Sequence, residues 1–376
     1  MKEILWLSCL LLVCTHAMPV MAQNTIPEDS AEQITQAGGV KSLEDRVSNL
    51  EKAISPAVTG DNWFDRVQIS GLVEVEAGYE KIDFTDSAAE DEGTGDVDLA
   101  TVELAVDAKI SDHIEGHVLF KYEEEDVFVD EGFITLNGTE AFPAYLIAGR
   151  QYIPFGNFET HFVTDPNPLI LGETNEGAVV AGYRIGGEMI DICVGAFNGE
   201  IDESGDDDRI DSFVAAISAR PIESLTVGAS YISNLASSDN LSESVAVDAV
   251  NDLVGGWSAF VVFELLARFK IIGEYVAALD DFDAGELYDA ADTTARKPSA
   301  WHVELGFSIV ENIEVAARYG GSKDGGAEFL PETQYGAVAN WGFFKNTHLA
   351  LEYLRGEFEE DAQETDSFIA QLAIEF

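Results

Sequence analysis

A thirteen-residue alternation is the feature that most limits what this chain can fold into. In RVQISGLVEVEAGYEK, residues 66–81, Val67, Ile69, Gly71, Val73, Val75, Ala77 and Tyr79 fall on one face. Gln68, Ser70, Glu74, Glu76 and Glu80 fall on the other. Side chains alternate across a strand, so a period of two spells β-structure. Ordinary strands run about five or six residues, whereas a tilted strand that crosses a bilayer needs ~9–11.

The pattern recurs. Between 66 and 376 there are sixteen candidate strands, at 66–80, 97–110, 113–126, 127–138, 144–152, 177–185, 188–198, 211–219, 224–234, 254–264, 267–278, 299–309, 313–321, 334–343, 346–357 and 367–376. Many end in Tyr, Trp or Phe, as in Tyr275, Trp301, Phe307 and Tyr353. Connections after odd strands are mostly long (81–96, 153–176, 199–210, 235–253, 279–298, 322–333, 358–366), and those after even strands are short. The junction at 126/127 breaks this rule. Even strand number, short turns at one end, long loops at the other and aromatic strand ends describe a transmembrane antiparallel β-barrel. A soluble sandwich fits poorly, because sixteen long strands with aromatic girdles leave no watered face. The expected class is therefore all-β: a barrel over 66–376 in a Gram-negative outer membrane, with the amphipathic terminal strand SFIAQLAIEF closing on 66–80 because hydrocarbon permits no unpaired edge.

The first residues, MKEILWLSCLLLVCTHAMPVMAQ, carry a charged start, a short apolar run and a small-residue cleavage site after Ala22. Residues 1–22 thus read as a signal peptide, too short in its apolar run to span a bilayer as a helix. A polar leader, 23–39, precedes VKSLEDRVSNLEKAIS, where Val40, Leu43, Val47, Leu50 and Ile54 form an a/d seam ended by Pro56. A short periplasmic coiled coil over 40–56 is expected, with a homotrimer as its product. Once Cys9 and Cys14 leave with the signal, Cys193 stands alone, so no internal disulfide framework is expected.

Seventy acids against twenty bases give a net charge of −50, which argues against nucleic acid as a partner. The acids crowd the long connections, as in KIDFTDSAAEDEGTGD and GEIDESGDDDRI. Such loops suit a solvated outer surface bridged by divalent cations to lipopolysaccharide, or a vestibule that attracts cations. The predicted lumen wall is mixed. Glu74, Glu76, Glu103, Asp107, Glu115, Asp191, Glu274, Glu304, Glu314 and Glu352 stand with Lys109, Lys121, Arg184, Arg268, Lys270 and Arg318. A polar interior is what a water-filled pore requires, and no arginine ladder marks a dedicated anion path. His113, Glu115 and His117 share a face, but spacing of ~6.8 Å along a strand makes a compact metal site awkward, so no metal or other cofactor is expected.

One long connection is apolar instead. GRQYIPFGNFETHFVTDPNPLILGET, 149–174, is rich in Pro, Gly and aromatics, and a segment of this length is usually functional. It is expected to fold into the lumen over 153–176 and narrow it, which makes Arg150, Tyr152, Phe155, Phe158, Glu159, His161, Asp165 and Glu173 the candidate constriction and solute-binding residues.

The same stretch resembles the shared segment of LbtU-type siderophore porins. AFNG at 196–199, RPIESLTVGASYI at 220–232, the coil and the final Phe376 also fit. The resemblance implies a sixteen-strand porin that passes a ferric siderophore. It is more distantly similar to phosphate-selective porins, whose arginine-rich lumen is missing here. The ending on Phe376 also resembles the signal that outer-membrane barrels present to their insertion machinery. An energised receptor of about 22 strands with a plug does not fit into 376 residues. The expected function is thus passive passage of a small hydrophilic solute, with a general cation-preferring porin as the alternative. A barrel adhesin is a further class. A barrel hydrolase is disfavoured because no Ser sits in a recognisable nucleophile setting.

Overall fold

A computed structural model describes residues 66–84, 92–123, 126–187, 189–205, 210–266, 268–359 and 363–376. The signal peptide, leader and coiled coil expected before residue 57 lie outside them. Sixteen antiparallel strands among the described residues close into one barrel. They are β1 (Val67–Phe84), β2 (Glu92–Ser111), β3 (Ile114–Glu123), β4 (Asp126–Thr139), β5 (Phe142–Tyr152), β6 (Asn175–Ile185), β7 (Ile190–Phe197) and β8 (Ser212–Ile222). The circuit continues through β9 (Leu225–Ile232), β10 (Gly256–Leu265), β11 (Phe269–Ala278), β12 (Ser299–Val310), β13 (Ile313–Lys323), β14 (Thr333–Phe344), β15 (Thr347–Glu357) and β16 (Gln363–Glu375).

The closure lies where the terminal alternation requires it. β1 pairs with β16 from Leu72↔Glu375 to Phe84↔Gln363, and Gly71 and Phe376 exchange two backbone hydrogen bonds of 3.0 Å. A Cβ at residue 71 would overlap the Phe376 ring and sit 2.8 Å from the Glu103 carbonyl, so glycine lets the last aromatic lie on the seam.

One expected boundary is corrected. The acidic stretch 81–96 is strand at both ends, because β1 reaches Phe84 and β2 starts at Glu92. Ladder bonds involve only the backbone, so acidic side chains in water do not stop them once no apolar face is needed. The strand expected over 127–138 is present as β4, with a bulge at Leu119/Phe120 that places Glu131 and Val129 against consecutive β3 residues. The extra residue shifts the face and blurs the period. At the short end, Gly186 and Gly187 both have φ of 67°, the left-handed pair that a tight hairpin needs.

The outer surface is apolar and belted. Val179, Val194, Val303, Leu305 and Leu351 are exposed, while their neighbours Val180, Cys193, Glu304 and Glu352 are buried. Trp257 and Tyr275 approach to 5.2 Å between ring centroids, Trp301 and Tyr319 to 5.3 Å, and Tyr353 and Phe368 to 4.7 Å, forming a ring toward the long loops. Phe269 and Phe307, 4.8 Å apart, belong to a second ring toward the short turns. On β11 the two rings are separated from Phe269 to Tyr275, roughly 20 Å of strand at ~3.4 Å per residue. Such spacing suits the ~25 Å apolar band of a membrane barrel.

The long loops pack together. A core of Phe155, Leu171, Leu235, Leu241, Phe282, Leu287 and Leu330 joins the 153–174 segment to loops 233–255, 279–298 and 324–332. Two short helices mark it, α1 (Asn167–Gly172) and α2 (Asp239–Ser242). Ser238 Oγ donates to the Leu171 carbonyl at 2.8 Å, and the Asp239 N–H donates to that of Glu173 at 2.8 Å.

Candidate functional site

The segment after β5 is bonded to the inner face of the barrel, one strand after another. Its stems meet where the Ile153 N–H donates to the Thr174 carbonyl at 2.8 Å. The Gly156 N–H then donates to Ser230 Oγ on β9 at 2.9 Å. Asn157 and Phe158 donate their N–H groups to the Glu274 carboxylate on β11 at 2.8 and 2.7 Å. On β12, Glu304 accepts from Thr160 Oγ1 and the His161 N–H, both at 2.7 Å. His161 Nδ1 lies 2.6 Å from Glu314 on β13, and Asn340 Nδ2 on β14 donates to the His161 carbonyl at 2.9 Å. Glu352 on β15 accepts from Val163 at 2.5 Å and Thr164 at 3.2 Å. A non-regular chain turned against a wall has backbone N–H groups with no ladder to join. Each wall carboxylate accepts several bonds and takes the place of that ladder.

Arg318 on β13 is the hub. Its Nε donates to Glu304 at 2.8 Å, and one Nη donates to Thr160 Oγ1 at 2.5 Å and to the Thr164 carbonyl at 2.8 Å. The other Nη reaches the Asp165 carbonyl at 3.2 Å, and the guanidinium lies 4.2 Å from the Phe162 ring centroid. Five donors in a fixed fork suit this many-sided clamp, where a lysine would not. Gly306 on β12 leaves room for the His161 ring, which a Cβ would overlap.

The expected site residues divide among several places. Phe155, His161 and Asp165 are buried within the segment. Glu159 pairs with Lys270 of β11. Phe158 adopts a left-handed backbone, φ 55°, packs against the loop core and leaves its ring over Gly156. Tyr152 lies at the end of β5, donating to Asp130 at 3.3 Å, and Glu173 caps α1 through its N–H to the Leu169 carbonyl at 2.8 Å. Arg150 is exposed at the end of β5, where its charge acts on Asp239 of the neighbouring loop.

The wall cations divide likewise. Arg318 and Lys270 hold the segment, while Lys121 is buried beside Glu123 at 3.0 Å. Arg184 lies over the Tyr145 ring at 4.6 Å and faces Asp191 at 3.4 Å. Lys109 pairs with Asp112 at the rim, 3.5 Å, and Arg268 sits in the β10–β11 turn, so both stand at the short-turn end rather than at mid-height.

Since the segment follows β9 to β15, the strands across the sixteen-strand ring are β1 to β7, of which β1 to β4 form the acidic part. Glu74, Glu76, Glu103, Asp107, Glu115 and Glu131 lie there, with Glu76 accepting from Gln371 at 2.9 Å. His117 is the distinctive member: Nδ1 is 2.7 Å from Asp107, Nε2 is 3.5 Å from Glu131, and the ring stacks on Phe133 at 4.9 Å. Ser230, Asn340 and Gly306 were not singled out by the sequence. Their only signal is a polar or small residue on the inward parity of its strand.

The aromatic belts, the closed sheet and the polar interior define a barrel of the outer-membrane porin fold. Among the described residues, no group of three or more His, Cys, Asp or Glu side chains is disposed to hold a metal ion. The outer-membrane channel DcaP of Acinetobacter baumannii superposes with a TM-score of 0.59 at 16% identity, over 82% of this chain and 97% of that one. An anion-selective porin from Comamonas acidovorans gives 0.57 at 11% identity, over 82% and 99%. No family model matches the chain. A UPF0422 protein of Coxiella burnetii is 26% identical over 304 residues, 77% of this chain and 63% of its own length. A UPF0422 protein of Legionella pneumophila strain Lens is 22% identical over 294 residues, 69% of this chain and 54% of its own. The chain thus spans between about half and two thirds of these curated relatives. The likeness to these channels is one of fold: a closed sixteen-stranded barrel of the outer-membrane porin type.

Proposed function

We propose that the chain is a passive channel for a small hydrophilic solute, constricted by residues 153–174 and preferring cations. The observation that carries this reading is the row of bonds from that segment to Ser230, Glu274, Glu304, Asn340 and Glu352. It fixes the segment along the inner faces of β9 to β15, and the proposed path for the solute runs past the acidic residues of β1 to β4. A cleft lined by one sign of charge raises the local concentration of the opposite sign.

A ferric siderophore is the proposed solute, supported by the resemblance carried by GRQYIPFGNFETHFVTDPNPLILGET. A general cation-preferring porin is the second reading, favoured by the same acidic wall. The assembly proposed is a homotrimer gathered by the coil at 40–56 and embedded beside lipopolysaccharide, with Phe376 as the insertion signal.

Planar-bilayer recording tests this. Steady conductance with a cation-selective reversal potential, interrupted by added ferric siderophore, is the expected result. Conductance that the siderophore leaves unchanged returns the solute to the general reading. Silence from correctly folded barrels removes the channel.

A further inference from the structure

Within the inward segment, just before α1, lie side-chain oxygen atoms that accept no hydrogen bond. Asp165 is 1% exposed, and neither of its carboxylate oxygens has a hydrogen-bond partner among the described residues. Two residues on, Asn167 is equally buried; its Nδ2 donates to the Pro331 carbonyl at 3.4 Å while its Oδ1 has no partner. Thr164 Oγ1 is also without one. A buried carboxylate left this way is costly, because burial removes its water and nothing replaces it.

The nearby cations are committed elsewhere. Arg318 spends its donors on Glu304, Thr160 and the Thr164 and Asp165 carbonyls, none on the Asp165 carboxylate. Lys121 faces Glu123 at 3.0 Å. Burial, and next the charge of Glu173, push the Asp165 carboxyl well above the ordinary carboxylate range.

We propose that Asp165 and Asn167, with Glu173 supplying the second negative charge, form a binding site for one divalent cation of the calcium type, which fastens the inward segment where α1 begins. Asp-x-Asn places two hard oxygen donors at the spacing that calcium loops use, and carboxylate, amide and carbonyl oxygens are the ligands this ion takes. Its role is structural. It ties the end of the segment as Glu274, Glu304 and Glu352 tie its middle.

The test is calcium binding to the full-length protein folded in detergent and stripped with EDTA. Acidic loops bind calcium weakly in any variant, so the informative quantity is the difference between proteins. Equilibrium dialysis is expected to show one equivalent of tight calcium in the wild type that is absent in D165N and weakened in E173Q. Hydrogen exchange across residues 162–171 is expected to slow roughly tenfold when calcium stands at about ten times its dissociation constant. Equal calcium binding by wild type and D165N overturns the site. So does D165N with calcium-independent protection of 162–171 at the wild-type level, which assigns the orphan oxygens to a neutral acid. If D165N does not assemble, exchange in the wild type decides: protection unchanged between calcium and EDTA overturns the proposal.

Discussion

Arg318 and Glu304 meet at 2.8 Å with neither side chain exposed to solvent, and four groups of the inward segment hang on that pair: Thr160 Oγ1, the His161 N–H and the Thr164 and Asp165 carbonyls. A buried ion pair contributes little by itself, but removing one partner leaves an uncompensated charge. R318M is expected to loosen the segment by ~3–5 kcal/mol while the sheet still closes. Hydrogen exchange at residues 158–165 reads the loss, and single-channel traces gain noise. Wild-type protection there would deny Arg318 the role of hub.

Gly306 makes a finer probe. G306A puts a methyl group into the His161 ring and is expected to push that ring off Glu314 without removing any charged group. The cost is in the range of ~1–3 kcal/mol for overpacking. Faster exchange at His161 and Phe162, with an unchanged unfolding temperature for the barrel, is the expected signature.

At the seam, G71V is expected to slow closure of β1 on β16, because the added side chain competes with Phe376 and the Glu103 carbonyl. Refolding into detergent, followed by heat-modifiable mobility on gels, is expected to leave a larger unclosed fraction. The same change at Gly78, where a Cβ meets nothing within 4 Å, serves as the control.

Asp239 gives the loop cap a pH dependence. Burial first, then the Glu176 charge, raise its carboxyl to about 6, against the lowering effect of the Asn175 N–H at 2.9 Å. A folded-state value above the unfolded one means the folded form holds the extra proton. Its stabilising contribution is therefore full below about pH 4 and is lost as pH rises through about 6. Exchange of residues 239–245, corrected for intrinsic rates, is expected to be more protected at pH 5 than at pH 7.5, and D239N to abolish the difference.

Ion selectivity is expected to separate the two sides of the lumen. E159Q frees Lys270 and is expected to weaken cation preference, as is E76Q combined with D107N on the facing wall. R150Q, out at the β5 end, is expected to matter less. Reversal potentials under a salt gradient check the order, and a larger effect from R150Q would move the narrowest point toward the loop end.

The sequence by itself determined the barrel. Alternation along a strand is a local consequence of backbone geometry, and a bilayer imposes it on every strand, so Val67 to Tyr79 or Trp301 to Phe307 is legible without knowing any neighbour. It failed locally where that coupling lapses, in the acidic extensions up to Phe84 and from Glu92. Glu274, Glu304 and Glu352 were readable as inward-facing but not as anchors. Their partners are backbone N–H groups more than 100 residues away, and a main-chain donor leaves no mark in side-chain pattern. Tertiary structure alone decided which wall the 153–174 segment follows, that Arg318 serves the segment instead of the open pore, and that Asp165 ends without a donor. Those outcomes depend on which strands closure brings face to face, and no local period encodes that.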